Sequence, residues 1–386
     1  MSDSLHPDIP AIDQNVFSAM QSLKELSKIQ KALDIALKQT DQAMTEQVEI
    51  CEIPSPTFHE EKRAEEIARR MKAYGLTDVS IDAIGNVVGV RKGRGNGPVL
   101  VIDAHMDTVF PEGTDVTVRR EGDTYYAPGI GDNTSGVRAL LQLIRCFNEA
   151  DIQTQGDIIF VGTVGEEGNG DIRGAKFICN GDRHIDGYIA IDSFTAGVVV
   201  MGGVGCHRWR VGISGPGGHS FMDFGKIPSS IHAMCHAGHL IDQLTPPSEP
   251  YTTFNIGTIK GGTSVNTIAP SCEVDVDIRS ISNDELLKLE AQIFQAFEEG
   301  VAEENKRWGI TDSERMLKLT KTQIGDRPAG ARPDDCPVIQ TALCAQKLLG
   351  IELTQFCPSA TDANAPISKN IPSACLGSGG LSEKFH

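Results

Sequence analysis

Apolar residues recur along residues 16–37 at Val16, Phe17, Met20, Leu23, Leu26, Ile29, Leu33 and Leu37. That spacing keeps them near one helical face and predicts a packing helix behind Pro10. The stretch from Glu61 to Tyr74 repeats the logic with Ala64, Ile67, Ala68, Met71 and Tyr74, and Gly75 supplies a stop. Beyond it the apolar runs shorten and become β-branched: VVGV at 87–90, VLVIDA at 99–104, IIFVGT at 158–163 and YIAI at 188–191, with a helical stretch from Gly136 to Ala150 between two of them. Strands this uniformly apolar need cover on both faces, so the pattern predicts an α/β domain with a largely parallel central sheet. Polar residues at their carboxyl ends then need a reason.

The texture changes near residue 202, where GGVGCHRWRVGISGPGGHS opens a glycine-rich segment with alternating apolar positions. A helix from Ser229 to Leu244, an edge-exposed strand CEVDVDIRS at 272–280 and a second helix from Glu285 to Lys306 follow. These elements predict an inserted α+β domain over 202–315, within a domain assembled from 1–201 and 316–386. The last part reads as a helix over Pro333–Leu349 and short strands near Gln355 and Ala374.

The length of 386 residues admits two such domains, and 35 Lys+Arg against 52 Asp+Glu give a formal charge of -17. That balance disfavours nonspecific binding to nucleic acid or anionic membrane, so neither is expected as a partner. The N-terminus has no basic start followed by an apolar run, and no apolar stretch is long enough to span a bilayer, which predicts a cytoplasmic protein. The ten cysteines are dispersed without a CxxC pair and read as core thiols.

Candidate chemistry gathers at the predicted strand ends. In DAHMDTVF at 103–110, alternation points His105 and Asp107 the same way, so the carboxylate either orients the imidazole, shares an ion with it, or caps the strand. Asp132 sits in APGIGDNTSGV between a glycine-rich turn and a helix start, where a capping role for its neighbours competes with ligation. Glu166 and Glu167 follow the strand IIFV; if desolvated, such a pair needs a cation or a proton, and otherwise it belongs to a solvated loop. Asp192 ends YIAI and adds a fourth strand-end anionic site. Open α/β sheets bind ligands at this end, and the oxygen and imidazole donors suit zinc or hard divalent cations.

HMD at 105–107, GIGDNTSG at 129–136, GEEG at 165–168, Asp192, GPGGHS at 215–220, GTSVNTIAP at 262–270, DIR at 277–279 and His386 together resemble the superfamily of zinc-dependent metallopeptidases and aminoacylases. That superfamily contains peptidase T, glutamate carboxypeptidases, acetylornithine deacetylase and succinyl-diaminopimelate desuccinylase. The resemblance implies a zinc-exopeptidase-like catalytic domain and an inserted dimerisation domain, hence a homodimer. It implies two zinc ions, for which cobalt or manganese can substitute, bridged by Asp132 and by a water or hydroxide. His105 and Asp192 would hold one ion, and Glu167 and His386 the other. Asp107 would support His105, and Glu166 would be the general base. His219 would reach the partner's active site to bind the substrate carbonyl, with Asn266 and Arg279 as further substrate contacts.

The implied reaction is hydrolysis of an amide in short peptides, with N-acyl amino acids as the alternative substrates and a catalytically silent scaffold as the alternative of a different class. Members of the superfamily continue past the last histidine into another acidic residue and a terminal helix, so the resemblance also predicts a shortened C-terminus that weakens one metal site. The spacing of His232, His236 and His239 puts at least two of them on one predicted helix face, which superficially suggests a metal site. No nearby acidic ligand strengthens a metal reading, and the expectation is packing or exposure.

Overall fold

The structure, a computed structural model, describes residues 9–380. The chain divides into two compact units: one runs through Gly203 and resumes at Gly330, and the other is Val204–Ala329.

The first unit opens with helices α1 (Gln14–Lys24), α2 (Ser27–Lys38) and α3 (Thr40–Cys51). The single helix expected over 16–37 is therefore two. Leu26 adopts extended angles (φ -64°, ψ 132°) between them, because α1 packs on α9 (Pro337–Leu349) while α2 packs on α5 (Thr134–Glu149). α4 (Glu61–Ala73) ends as expected, with Gly75 at φ 94°.

A nine-stranded sheet follows from β1 (Asp78–Ile81), β2 (Val87–Arg91), β3 (Leu100–His105), β6 (Ile158–Thr163), β7 (Gly187–Asp192), β8 (Val198–Gly203), β15 (Gly330–Ala331), β16 (Gln355–Ser359) and β17 (Ser373–Gly377). β4 (Arg119–Glu121) and β5 (Thr124–Tyr126) form a separate hairpin. The order is β1-β2-β6-β3-β7-β17-β8-β15, with β16 beside β8. The sheet is parallel through β6, β3, β7 and β17 and antiparallel where β2 joins β6 and β8 joins β17.

Period-two alternation explains the uniformly apolar strands. In β6, Ile158 and Phe160 pack with Ile67, Met71, Leu140 and Ile144 of α4 and α5, while Ile159 and Val161 pack with Val101, Tyr188 and Val200 in the other core layer. Burying each such side chain contributes roughly 1.5–3 kcal/mol before entropy is counted.

The second unit contains β9 (Gly205–Ser214), β10 (Gly218–His219), α7 (Ser230–Asp242), β11 (Thr252–Gly261), β12 (Thr267–Ile268), β13 (Ser271–Ser280), α8 (Asn283–Arg307) and β14 (Lys318–Arg327). Its antiparallel sheet runs β11-β13-β9-β14. Two sequence-based expectations change here. The strand at 272–280 is central, flanked by β11 and β9. The return to the first unit comes at Gly330 and not at 316, because β14 pairs with β9 along its length.

One sheet face packs Val211, Ile213, Val274, Val276 and Ile278 against α7 and α8. The helices cross at Gly300, where an added Cβ would lie 2.6 Å from the Ala233 carbonyl oxygen. The other face carries paired charges: Arg208 on Asp277 at 3.0 Å and Arg210 on Asp275 at 2.8 Å. Among the described residues, no helix is long and apolar enough to cross a membrane.

Candidate metal centre

The centre is built at the carboxyl ends of parallel strands, where their helices and loops diverge. β3 ends on His105, β7 on Asp192, and the turn after β6 carries Glu166 and Glu167. Asp132 precedes α5. Asn133 caps that helix by accepting the Gly136 N–H at 3.0 Å, and its amide donates to the Ile191 carbonyl at 2.8 Å. The cap thereby ties the Asp132 turn to the strand that ends in Asp192. The Asp132–Asn133 peptide is cis.

His105 is the hub. Its Nε2 lies 3.1 Å from Asp132 Oδ1 and 3.7 Å from Asp192 Oδ1. Two donor sets converge within 4.8 Å: His105 with Asp132 and Asp192, and His105 with Glu166 and Glu167. All but Asp132 are buried, and Asp132 is half-buried. The ring Nδ1 sits 3.1 Å from the backbone carbonyl of Asp107 and 3.5 Å from its carboxylate. That carboxylate is engaged elsewhere: it accepts the N–H groups of Glu166 at 2.9 Å and Glu167 at 3.1 Å and the Thr57 hydroxyl at 2.8 Å. Asp107 thus holds the histidine through its backbone and the glutamate turn through its side chain.

The electrostatics are those of a site short of positive charge. Burial pushes the Glu167 carboxyl up to about 7, with Asp132, Asp107 and Asp192 adding to the effect against the opposing pull of His105. Burial alone would lower the His105 pKa, but contacts with Asp107, Asp132 and Asp192 outweigh it and hold the ring well above its ordinary range. Asp192 stays low despite its burial, because His105 and Ser193 stabilise its charge.

Asp132 Oδ1 is buried without a hydrogen bond, and the imidazole nitrogen of His105 stands 3.1 Å from it. Two ligands of one tetrahedral zinc with bonds of 2.0–2.1 Å stand about 3.3 Å apart without bonding each other. The donor set fits divalent cations, which would replace the protons on Glu167 and His105.

Beneath His105 lies a second pair of carboxyls. Asp103, two residues earlier on β3, accepts the Tyr188 hydroxyl at 2.9 Å, and Thr163 at the end of β6 donates to Asp362 at 2.6 Å. Burial raises both carboxyls, Asp103 further through the Asp362 charge. Arg63 of α4, 1% exposed, donates to the carbonyls of Cys51, Ile53 and Met106. Sequence reasoning passed over these residues. Asp103 had a signal, as a carboxylate inside an apolar strand, and so did Arg63, one helical turn before Ile67 on the buried face of α4. Asp362 had none.

His219 and Asn266 are brought together in the second unit. β10 pairs with β12, and Ser220 N–H donates to the Asn266 carbonyl at 2.9 Å. The His219 Nδ1 accepts the Phe221 N–H at 3.2 Å, which leaves Nε2–H as an exposed donor. Arg279 lies on β13 and donates to Asp277 at 2.7 Å. His386 falls outside the described residues.

Comparison with known proteins matches the two units to different profiles. Residues 86–200, which carry His105, Asp132, Glu166, Glu167 and Asp192, match the profile described as Peptidase family M28, and residues 202–305 match the peptidase dimerisation domain. The protein YqjE of Bacillus subtilis is 27% identical over 360 residues, 87% of this chain and 90% of that one. Carboxypeptidase G2 of a Pseudomonas species is 28% identical over 207 residues, about half of each chain. The solved structure of a tripeptidase from Staphylococcus aureus superposes with a TM-score of 0.73 at 25% identity, over 90% of this chain and 91% of that one. A peptidase profile over the sheet that gathers the acidic cluster, a dimerisation profile over the insertion, and a peptidase fold spanning nearly the whole length make the chain similar to the hydrolases of the M20 metallopeptidase superfamily.

Proposed function

We propose that the protein is a zinc-dependent hydrolase that cleaves an amide bond in short peptides, as an aminopeptidase acting on unblocked N-termini. The observation that carries this reading is the convergence of two donor sets on one buried histidine, His105, with more acidic groups than the fold can keep charged. The likeness to a tripeptidase over nine-tenths of both chains favours peptides over N-acyl amino acids.

His105 and Asp192 would hold one zinc, Glu167 the second, with His386 as its further ligand, and Asp132 would lie between the two. Zinc in such a site polarises a carbonyl and makes water acidic near neutral pH. The remaining chemistry belongs to the chain. Glu166, held through its N–H by Asp107, takes the proton of the attacking water and returns it to the departing amine, so one carboxylate serves as base and then as acid. The Asp107 carbonyl orients the His105 ring, leaving Nε2 to face Asp132 and Asp192. His219, with Nε2–H as its outward donor, would bind the substrate carbonyl as it gains charge, with Asn266 and Arg279 as further substrate contacts. The second unit would pair two copies into a homodimer, and the protein would act in the cytoplasm.

The test is a panel of unblocked tripeptides against N-acetyl and N-succinyl amino acids, using protein stripped of metal and reloaded with zinc. Turnover of tripeptides with little of the acylated compounds is expected. Turnover confined to the acylated compounds would replace the peptidase reading with an aminoacylase. No turnover of either with zinc, cobalt or manganese would favour a silent scaffold.

A further inference from the structure

Helix α7 carries an exposed stripe that the proposed hydrolase chemistry does not use. Its inner positions, Ala233, Met234, Ala237 and Ile241, are buried against α8 and the sheet. On the outer face His232, Cys235, His236 and His239 are all exposed. Packing therefore does not explain the three histidines, and they recur at the spacing that stacks side chains on successive turns.

An acidic neighbour for His232 comes from α8. Glu304, 5% exposed, places Oε1 3.7 Å from His232 Nδ1. The same oxygen accepts the Ser229 N–H at 3.0 Å and the Trp308 indole N–H at 2.9 Å, so the carboxylate is fixed before any ligand arrives. At 3.7 Å the carboxylate is beyond hydrogen-bond reach of His232 and acts on it through charge, favouring the tautomer with its N–H at Nδ1 and leaving the Nε2 lone pair for a metal. One turn along, His236 completes an H-x-x-x-H pair, the helical spacing at which two imidazoles grip one zinc ion.

We propose that α7 carries an auxiliary transition-metal site in which His232 and His236 bind one borderline divalent ion such as Zn²⁺, with Glu304 supporting His232. Nitrogen donors select this class over calcium or magnesium. Cys235 and His239 repeat the four-residue spacing on the same helix but are not required for the pair. Among the described residues, sets of three or more donors already gathered within ligand distance occur only around His105. The α7 rings close on the ion by rotation, which makes this the weaker of the two centres. The inference is independent of the hydrolase reading.

The experiment uses the full chain, stripped of metal and titrated with ZnSO₄ at pH 7.5, while the assigned imidazole NMR signals are followed. The His232 and His236 rings are expected to shift together with one saturation constant, after the His105 centre has filled. His232→Asn and His236→Asn should each weaken that response at least tenfold, whereas the double variant Cys235→Ser/His239→Asn should leave it unchanged. All these side chains are exposed, so circular dichroism and the melting temperature of the metal-free variants should match the parent. Static His232 and His236 signals up to millimolar zinc, or an unaltered response of the remaining ring in either single variant, would overturn the proposal.

Discussion

Arg63 donates from Nη1 to the carbonyl oxygen of Met106 at 2.8 Å, gripping the chain between His105 and Asp107. The same guanidinium reaches Cys51 and Ile53, and burial lowers its pKa to about 10. Arg63→Lys keeps the charge but lacks the planar fork, so two of the three carbonyls lose their donor. A loss of roughly 2–4 kcal/mol is expected in urea unfolding. Zinc affinity should fall about 10- to 100-fold, as for other groups that orient a ligand. Unchanged zinc affinity in a destabilised variant would make Arg63 structural only.

Glu166→Gln removes the proposed base and keeps the shape of the side chain and the N–H that Asp107 holds. Turnover should fall by about 10²- to 10⁴-fold. Zinc content, measured by elemental analysis after dialysis, should be retained. A comparable loss of metal would move Glu166 from base to ligand.

The charge state of Glu167 sets a pH dependence. Its folded pKa of about 7 lies above the ordinary 4.5. Between those values the metal-free folded chain keeps a proton that the unfolded chain has released, so its stability falls as pH rises through this window. His105, also raised, acts in the same direction above its ordinary 6.5. Zinc must displace both protons, so the rise in melting temperature on adding zinc should grow from pH 5 to pH 8. Calorimetric scans with and without zinc test this, and an increment independent of pH would exclude Glu167 and His105 as ligands.

Thr163→Val is nearly isosteric but leaves the Asp362 oxygen without its 2.6 Å donor. The expected cost is about 1–3 kcal/mol, measured by urea unfolding, because the carboxylate stays buried. A neutral effect would mean that Asp362 is satisfied elsewhere.

Gly136→Ala would put a methyl carbon 2.2 Å from the Asn133 side-chain oxygen that caps α5. Alanine gains about 1 kcal/mol in helix propensity, and losing the cap costs about as much. The displaced Asn133 then decides the outcome, since it anchors the Asp132 turn to β7. Weaker zinc binding with little change in helix content is expected, read from a zinc-chelator competition and circular dichroism.

The parallel strands and their acidic ends were legible because each apolar run stops abruptly at a charge, as IIFVGT does before GEEG. The break at Leu26 was not, because apolar periodicity continues through it and only the separate partners of α1 and α2 divide the helix. β14 reads KLTKTQIGDR, whose mostly exposed side chains resemble a loop until β9 supplies its hydrogen-bonding partner. The Asp107 side chain shows the same limit within the site. Spacing pairs it with His105, yet its closest partners are Thr57 and two backbone N–H groups that only folding brings near.

β17 (Ser373–Gly377) joins β7 to β8 although β8 ends at Gly203, with the whole second unit between. During synthesis the strands bearing His105 and Asp192 therefore emerge long before the one that seals them into a continuous sheet. The inserted unit draws its own sheet entirely from residues before Ala329 and can mature while its host waits. A ribosome-stalled chain lacking Ser373–Gly377 should accordingly have a protease-resistant insertion inside a still-digestible frame.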